Sequence, residues 1–223
     1  MSFLNTPWIV ENFGKKENFT FFEIGSAEIG INSQVAKIKR LLPNGKYYAF
    51  EAANHWHESN EIQAIEFGIE YFKYAICDID GDILFHPSLT QNGEKHLLSS
   101  SIFNLDRSPG SNTFGKEYGD PYVVKGLRLE TFCKNFNVSP DFIHIDVEGA
   151  ELKVFQNIGE YKPKCIWTEI GAFKHYDTGT TFEEFNDYLE QLGYYKAHVE
   201  DHQNDALYCQ VGFDITPYTP CKL

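Results

Sequence analysis

Residues 142–151 read FIHIDVEGAE. Phe142, Ile143 and Ile145 form a short apolar strand that runs directly into Asp146, Glu148 and Glu151, with Gly149 among them. Buried strand ends rarely tolerate three carboxylates, because desolvating unpaired charge is costly. Acid gathered at such an end points to a place where something cationic, polar or metallic is held. The plainer alternative is an exposed strand-to-helix turn, in which Glu148 and Glu151 solvate the first helical turn and are favoured by its dipole.

Outward from this segment, strand-like and helix-like stretches alternate, the pattern of an α/β domain with a largely parallel sheet. Thr6-Pro7 opens a short helix in an N-terminal extension, residues 1–18. Strands are expected at 19–24 (FTFFEI), 46–50 (KYYAF), 71–77 (YFKYAIC) and 165–170 (CIWTEI). Ile31, Val35, Ile38 and Leu42 mark one amphipathic helix, stopped by Pro43-Asn44-Gly45, and Ile62, Ile65 and Ile69 mark another. Further helices are expected around 129–136 and 152–157. Thr181 and Glu184 form a capping box ahead of a last helix with Phe182, Phe185 and Leu189 as its stripe. Two antiparallel strands, 194–199 and 206–213, close the chain around the turn EDHQND. The whole reads as one domain, 1–223, interrupted at 79–126 by a Ser-, Gly-, Asn- and Pro-rich insertion with a strand-like piece at 82–85. Long loops of this kind are functional or disordered, and this one is placed near the substrate.

A hydrophobic content of 42% and an aromatic content of 16% are ample for a packed core. The net charge of −13 argues against a nucleic-acid surface and against docking on anionic lipid. No apolar run reaches the ~20 residues that span a bilayer, and the N-terminus lacks the plan of a secretion signal, so a cytoplasmic protein is expected. The five cysteines are scattered without C-x-x-C spacing and read as reduced, buried residues.

Open α/β sheets bind ligands beyond the carboxyl ends of their strands. Glu23, Glu51, Asp78, Asp146 and Glu169 all fall there. Gly25 and Gly30 after the first strand let backbone approach a ligand closely. Glu51, closing the second strand, stands where an acid accepts both hydroxyls of a ribose. The loop EIGSAEIG lacks the G-x-G-x-x-G of dinucleotide sites, and Glu28 would repel a pyrophosphate, which disfavours a nicotinamide oxidoreductase. An acidic loop suits a cofactor carrying positive charge, such as S-adenosylmethionine.

The segments FFEIGSAEIGINSQVAK, KYYAFEA, YAICDIDGDILF, GLRLETF and FIHIDVEGAELKVFQNI, in this order, resemble the FkbM-type S-adenosylmethionine-dependent methyltransferases. The resemblance spans roughly residues 20–170 and is sharpest at IDVEGAE. It implies a class I, Rossmann-like methyltransferase fold: a seven-stranded, mostly parallel sheet with helices on both faces and one antiparallel strand near its edge. Glu23, Gly25, Ser26 and Gly30 match the loop under the methionine part of the cofactor. Glu51, followed by Ala52, matches the acid that grips the ribose. Asp78, with Ala75 and Ile76, lies where the adenine is held. Asp146, Glu148 and Gly149 match the motif beside the transferred methyl group. The sequence departs from the family in a glycine loop one residue longer than usual, in His144 where Lys is usual, and in Ala52 where Pro is common.

The family implies a sugar or glycan-type small molecule as acceptor. Methyl transfer needs that acceptor aligned and its proton removed. Asp146, Glu148, Glu169 and His175 are the candidate bases. A divalent metal could assist or replace the base, with Asp146 and Glu169 as oxygen ligands, but no metal site is expected; the histidine spacings at His55 and His57 and at His198 and His202 lack supporting cysteines. Trp8, Trp56 and Trp167 read first as packing residues. Ser99 to Ser101, Asp106, Arg107 and Tyr118 are polar candidates for the acceptor pocket. A binding module that keeps the cofactor fold without turnover is the alternative outside the enzyme class.

Overall fold

A computed structural model of the chain describes residues 6–31, 33–89, 99–105, 117–169, 176–177, 179–199 and 205–217. In chain order the elements are α1 (Thr6–Phe13), β1 (Thr20–Ile24), α2 (Gln34–Leu41), β2 (Lys46–Phe50), a 3-10 turn (Asn54–Trp56), α3 (His57–Phe67), β3 (Glu70–Phe72), β4 (Ala75–Cys77), β5 (Gly81–Phe85), β6 (Ser88–Leu89), β7 (Glu117–Tyr118), β8 (Tyr122–Arg128), α4 (Leu129–Phe136), β9 (Phe142–Ile145), α5 (Glu151–Phe155), β10 (Cys165–Glu169), α6 (Phe182–Gln191), β11 (Tyr194–Val199) and β12 (Asp205–Gln210).

Seven strands form one sheet in the order β11-β12-β10-β9-β1-β2-β3. β1 runs parallel to β2 and β9, and β9 parallel to β10. β12 is inserted antiparallel to both of its neighbours, β10 and β11. This is the mostly parallel α/β sheet expected from the alternating pattern, in the Rossmann-like form that the family resemblance implies. A parallel strand buried on both faces needs apolar side chains on both, so its sequence runs apolar without alternation. β1 shows the consequence: Phe21 enters a core with α1, α2 and α3, while Phe22 and Ile24 enter the opposite core with α4, α5 and α6.

The helix boundaries follow local chemistry. Ser33 caps α2 by accepting from the amide of Ala36, and the Thr181–Glu184 capping box starts α6. Gly68 (φ +67°) ends α3 in the left-handed conformation that suits glycine. The N-terminal helix α1 buries Trp8, Ile9 and Phe13, and the Trp8 indole donates to the carbonyl of Thr216 at 2.9 Å. Cys77, Cys133, Cys165 and Cys209 are buried free thiols, while Cys221 lies outside the described residues. No described helix is long and apolar enough to cross a membrane.

Three details differ from the sequence reading. The stretch 71–77 is two strands: β3 extends the main sheet, and β4 leaves it to pair in parallel with β8 in a three-stranded sheet completed by β5. An apolar run reports burial but not the partner that supplies it. Of the expected isoleucine stripe, Ile69 lies beyond α3 and is buried, while Ile62 and Ile65 on the helix are 61% and 84% exposed; Asn60 and Ala64 form its buried face instead. Finally, β12 begins one residue earlier than expected and brings Asp205 into the sheet opposite Glu169.

Because Ile65 faces solvent, Ile65→Lys is expected to change unfolding free energy by less than about 0.5 kcal/mol in urea titration. Ala64→Leu, which overfills the contact with the sheet, is expected to cost about 1–3 kcal/mol.

Candidate active site

The carboxyl ends of β1, β2, β9 and β10 open onto a cavity of about 740 Å³. Its lining includes Glu23, Gly25, Ser26, Glu51, Ala52, Asp146, Glu148 and Glu169. It is framed further by Trp56, Ala75, Ile76, Ser99, Ser100 and Ile102. The separate sequence segments that carry the acids therefore meet around one space. Seven carboxylate residues line it (Glu23, Glu28, Glu51, Asp146, Glu148, Glu169 and Asp205), with no Lys or Arg among the described lining residues.

The loop after β1 is held from three sides. Gly25 adopts φ +79°, and a Cβ there would lie 1.8 Å from the carbonyl oxygen of Asp146, so only glycine fits. The amides of Gly25 and Ser26 both donate to the carbonyl of Phe50 at 3.0 Å. Ala27 adopts φ +47°, and its amide donates to Glu51 Oε2 at 2.7 Å. Fully buried Asn60 closes the arrangement: its Oδ1 accepts from the amide of Ile29 and its Nδ2 donates to the carbonyl of Ala27, both at 2.7 Å. Sequence reading missed Asn60, whose only signal is a polar residue on a helix face that the isoleucine pattern assigned to solvent.

Each acid has a distinct environment. Glu23 is 3% exposed and accepts from the amide of Val35 at 3.1 Å, using the first turn of α2 as its counter-charge. Its Oε1 stands 3.4 Å from Nδ1 of His144, which also lines the cavity. Glu51 accepts from the amides of Ala27 and Ala53, at 2.7 Å each; burial raises its pKa above the usual carboxylate value, and these amides oppose the rise. Asp146 is raised well above that value, first by burial and then by the charges of Glu148, Glu169, Glu151 and Asp205. Glu151 is 2% exposed and accepts from the amide of Gly149 at 3.1 Å; burial pushes it up to about 7.

Glu148 and Gly149 turn the chain in left-handed conformations, at φ +53° and +96°. The Glu148 carboxylate accepts a 2.6 Å hydrogen bond from Tyr176, and its carbonyl accepts from Ser101 Oγ at 2.8 Å. Glu169 is exposed at the cavity rim, and Asp205 beside it is 1% exposed. Asp205, read from sequence as part of a turn, is the second residue that only the topology of β12 reveals.

Two expected residues stand apart from the cavity. Asp78 does not line it: it follows β4, a strand of the second sheet, and its carboxylate accepts from Lys153 Nζ at 2.7 Å. Gly30 does not line it either; its carbonyl accepts from Ser33, ahead of α2. His175, Asp106 and Arg107 lie outside the described residues. Among the described residues, no three His, Cys, Asp or Glu side chains are grouped to hold a metal ion.

The profile of the methyltransferase FkbM domain matches residues 23–195, from the Glu23 loop through β11. The chain belongs to this family. No curated protein matches the sequence significantly. Among solved structures, the chain is similar to a methyltransferase FkbM from Methylobacillus flagellatus KT, with 13% identity and a TM-score of 0.52 over 86% of this chain and 44% of that one. The chain thus spans less than half the length of that relative. A precorrin-6y C5,15-methyltransferase from Geobacter metallireducens GS-15 has 12% identity and a TM-score of 0.44, over 91% of this chain and 84% of that one.

Because Glu151 in the folded protein holds its proton up to about 7, against 4.5 as the ordinary value, the folded state binds more protons than the unfolded chain between these values. Its contribution is fully present below about 4.5 and is lost as pH rises through 7. Glu151→Gln keeps an acceptor for the Gly149 amide without the charge. It is expected to leave stability near pH 4.5 little changed and to raise it above pH 7 by up to roughly 3 kcal/mol, read from denaturant titrations at both pH values.

Proposed function

We propose that this chain is a methyltransferase that uses S-adenosylmethionine and O-methylates a hydroxyl of a sugar or glycan-type small molecule. The observation that carries the reading is the acid-lined cavity at the strand ends, where Glu51, the Gly25–Ser26 loop and Asp146 converge. At about 740 Å³ it is the size of pockets that enclose cofactor-sized molecules.

The residues fit that cofactor. Ser26 Oγ, Gln34 Oε1 and Trp56 Nε1 are buried polar atoms on the cavity wall with no hydrogen-bond partner among the described residues, which is the expected state of groups that serve a ligand. Ser26 and Gln34 would hold the methionine end above the close contact of Gly25 with Asp146. Each Glu51 oxygen accepts one backbone amide and keeps acceptor capacity for a ribose hydroxyl. Trp56, Ala52, Ala75 and Ile76 would form the adenine side; Asp78, tied to Lys153, is left out of this assignment. The carboxylate lining complements a cofactor whose ammonium and sulfonium are both positive. When bound, S-adenosylmethionine supplies a methyl group on a positively charged sulfur, ready for in-line displacement.

The chain's own residues do the rest. Asp146, whose proton affinity is raised by burial and by neighbouring carboxylates, is the base that takes the acceptor hydroxyl's proton. Glu169 and its strand partner Asp205 would orient the acceptor by accepting from its other hydroxyls, with Ser99 and Ser100 also in the lining. An acceptor bearing phosphate would be repelled by this lining. Buried free thiols accord with a reducing, cytoplasmic setting.

Calorimetry with S-adenosylmethionine and S-adenosylhomocysteine tests the cofactor directly. Both are expected to bind, and S-adenosylhomocysteine is expected to raise the thermal midpoint where NADH does not. Binding by neither would overturn the reading. With an acceptor found in a panel of neutral sugars and their phosphates, Asp146→Asn is expected to lower kcat by roughly 10²–10⁴-fold while leaving S-adenosylhomocysteine affinity within about tenfold. An equal loss of both would move Asp146 from proton transfer to cofactor binding.

A further inference from the structure

The second acid of the motif has a different task from the first. Glu148 is a non-glycine residue held at φ +53°, a conformation kept only where surrounding contacts impose it. Several such contacts come from outside the sheet. Tyr176, 2% exposed, donates to Glu148 Oε2 at 2.6 Å, and its ring fills the space above Gly149, where a Cβ would lie 2.4 Å from Tyr176 Cδ2. The amide and hydroxyl of Thr180 donate to the Gly149 carbonyl at 2.9 and 3.1 Å. Ser101, 1% exposed, donates its hydroxyl to the Glu148 carbonyl.

The two outside segments are also joined to each other. Leu105 and Tyr176 form an antiparallel bridge, and the Asp177 amide donates to the Asn104 carbonyl at 3.1 Å. The Tyr118 hydroxyl donates to the Ser99 carbonyl at 3.5 Å, and its ring stacks on His86 with centroids 5.5 Å apart. His86 in turn bridges Ser101 through paired backbone hydrogen bonds. The product of this network is one wall of the cavity, because Ser99, Ser100 and Ile102 of the same segment line it.

We propose that Glu148 and Tyr176 form a clasp that positions residues 99–105 as the acceptor-side wall, making Glu148 a positioning residue rather than a proton acceptor. The clasp rests on the proposed function only in treating this cavity as the place of methyl transfer. A clasp needs an oxygen that accepts from the Tyr176 phenol, and a glutamine side chain supplies one as well as a carboxylate does. A proton acceptor needs the carboxylate itself.

Hydrogen exchange of the whole chain, followed by peptide, tests the clasp. Turnover of Glu148→Gln tests the role: it is expected within about tenfold of the parent, where loss of the proton acceptor would cost roughly 10²–10⁴-fold. Glu148→Ala and Tyr176→Phe are expected to speed exchange in 99–105 by about tenfold or more, with β1 and β2 unchanged, while Glu148→Gln stays within about threefold of the parent protein. Unchanged exchange in both Glu148→Ala and Tyr176→Phe would overturn the clasp, as would a Glu148→Gln variant as loose as Glu148→Ala. Tyr176→Phe removes one oxygen atom and keeps the ring on Gly149, so it carries the test if Glu148→Ala fails to fold. Titration of the same samples with S-adenosylhomocysteine keeps the two readings apart. Failure of the parent protein to bind it sinks the cofactor assignment and leaves the exchange comparison standing.

Discussion

Keeping Asp146 out of water beside Glu148, Glu151, Glu169 and Asp205 is the constraint around which the rest of the site is arranged. Charges so placed repel one another and forgo hydration, at a cost of several kcal/mol per unpaired ion. The fold answers with backbone amides rather than with cationic side chains. Glu23 takes the amide at the start of α2, Glu51 takes those of Ala27 and Ala53, and Glu151 takes that of Gly149. Asp146 keeps its high proton affinity, which the structural acids around it reinforce. A lysine or arginine in the lining would have stabilised the cluster and also abolished the acid–base character that the site needs.

The same economy links the two loops that matter. Gly25 passes against the Asp146 carbonyl so closely that no side chain fits between them, and the Asp146 amide donates to the carbonyl of Ile24. The glycine loop and the acidic motif are therefore one rigid unit built on the parallel pair β1–β9. Asn60 and Glu51 fix the far side of the loop, and the Glu148–Tyr176 contact fixes the outer wall. Within the glycine loop Ala27 turns left-handed, and Asn60 ties the chain at both Ala27 and Ile29.

Much of this was legible in the sequence because burial on both faces leaves a plain signature. β1, β2, β9 and β10 are runs of apolar residues closed by acids, and Thr181 with Glu184 announced the start of α6. Position within the sheet was harder to read. The stretch 71–77 is apolar throughout, and nothing in it tells that the chain changes sheets near Lys73 and Tyr74. Ile62 and Ile65 resembled a core stripe, yet α3 turns Asn60 and Ala64 inward because the glycine loop requires an amide side chain there. Asp205 reaches the cavity only because β12 is inserted antiparallel beside β10. Asp78 closes a strand as Glu51 does, but its strand belongs to the second sheet, and Lys153 takes its charge. Contacts between segments distant in sequence, such as Tyr176 with Glu148, leave no periodic trace.

The central claim is that the family motif and the glycine loop form one cofactor cleft with Asp146 at the transfer edge. A crystal structure with S-adenosylhomocysteine tests it most directly. The ribose hydroxyls are expected on Glu51 and the sulfur on the side of the cleft that faces Asp146. A ligand seated elsewhere, or with its sulfur turned away from Asp146, would contradict the account.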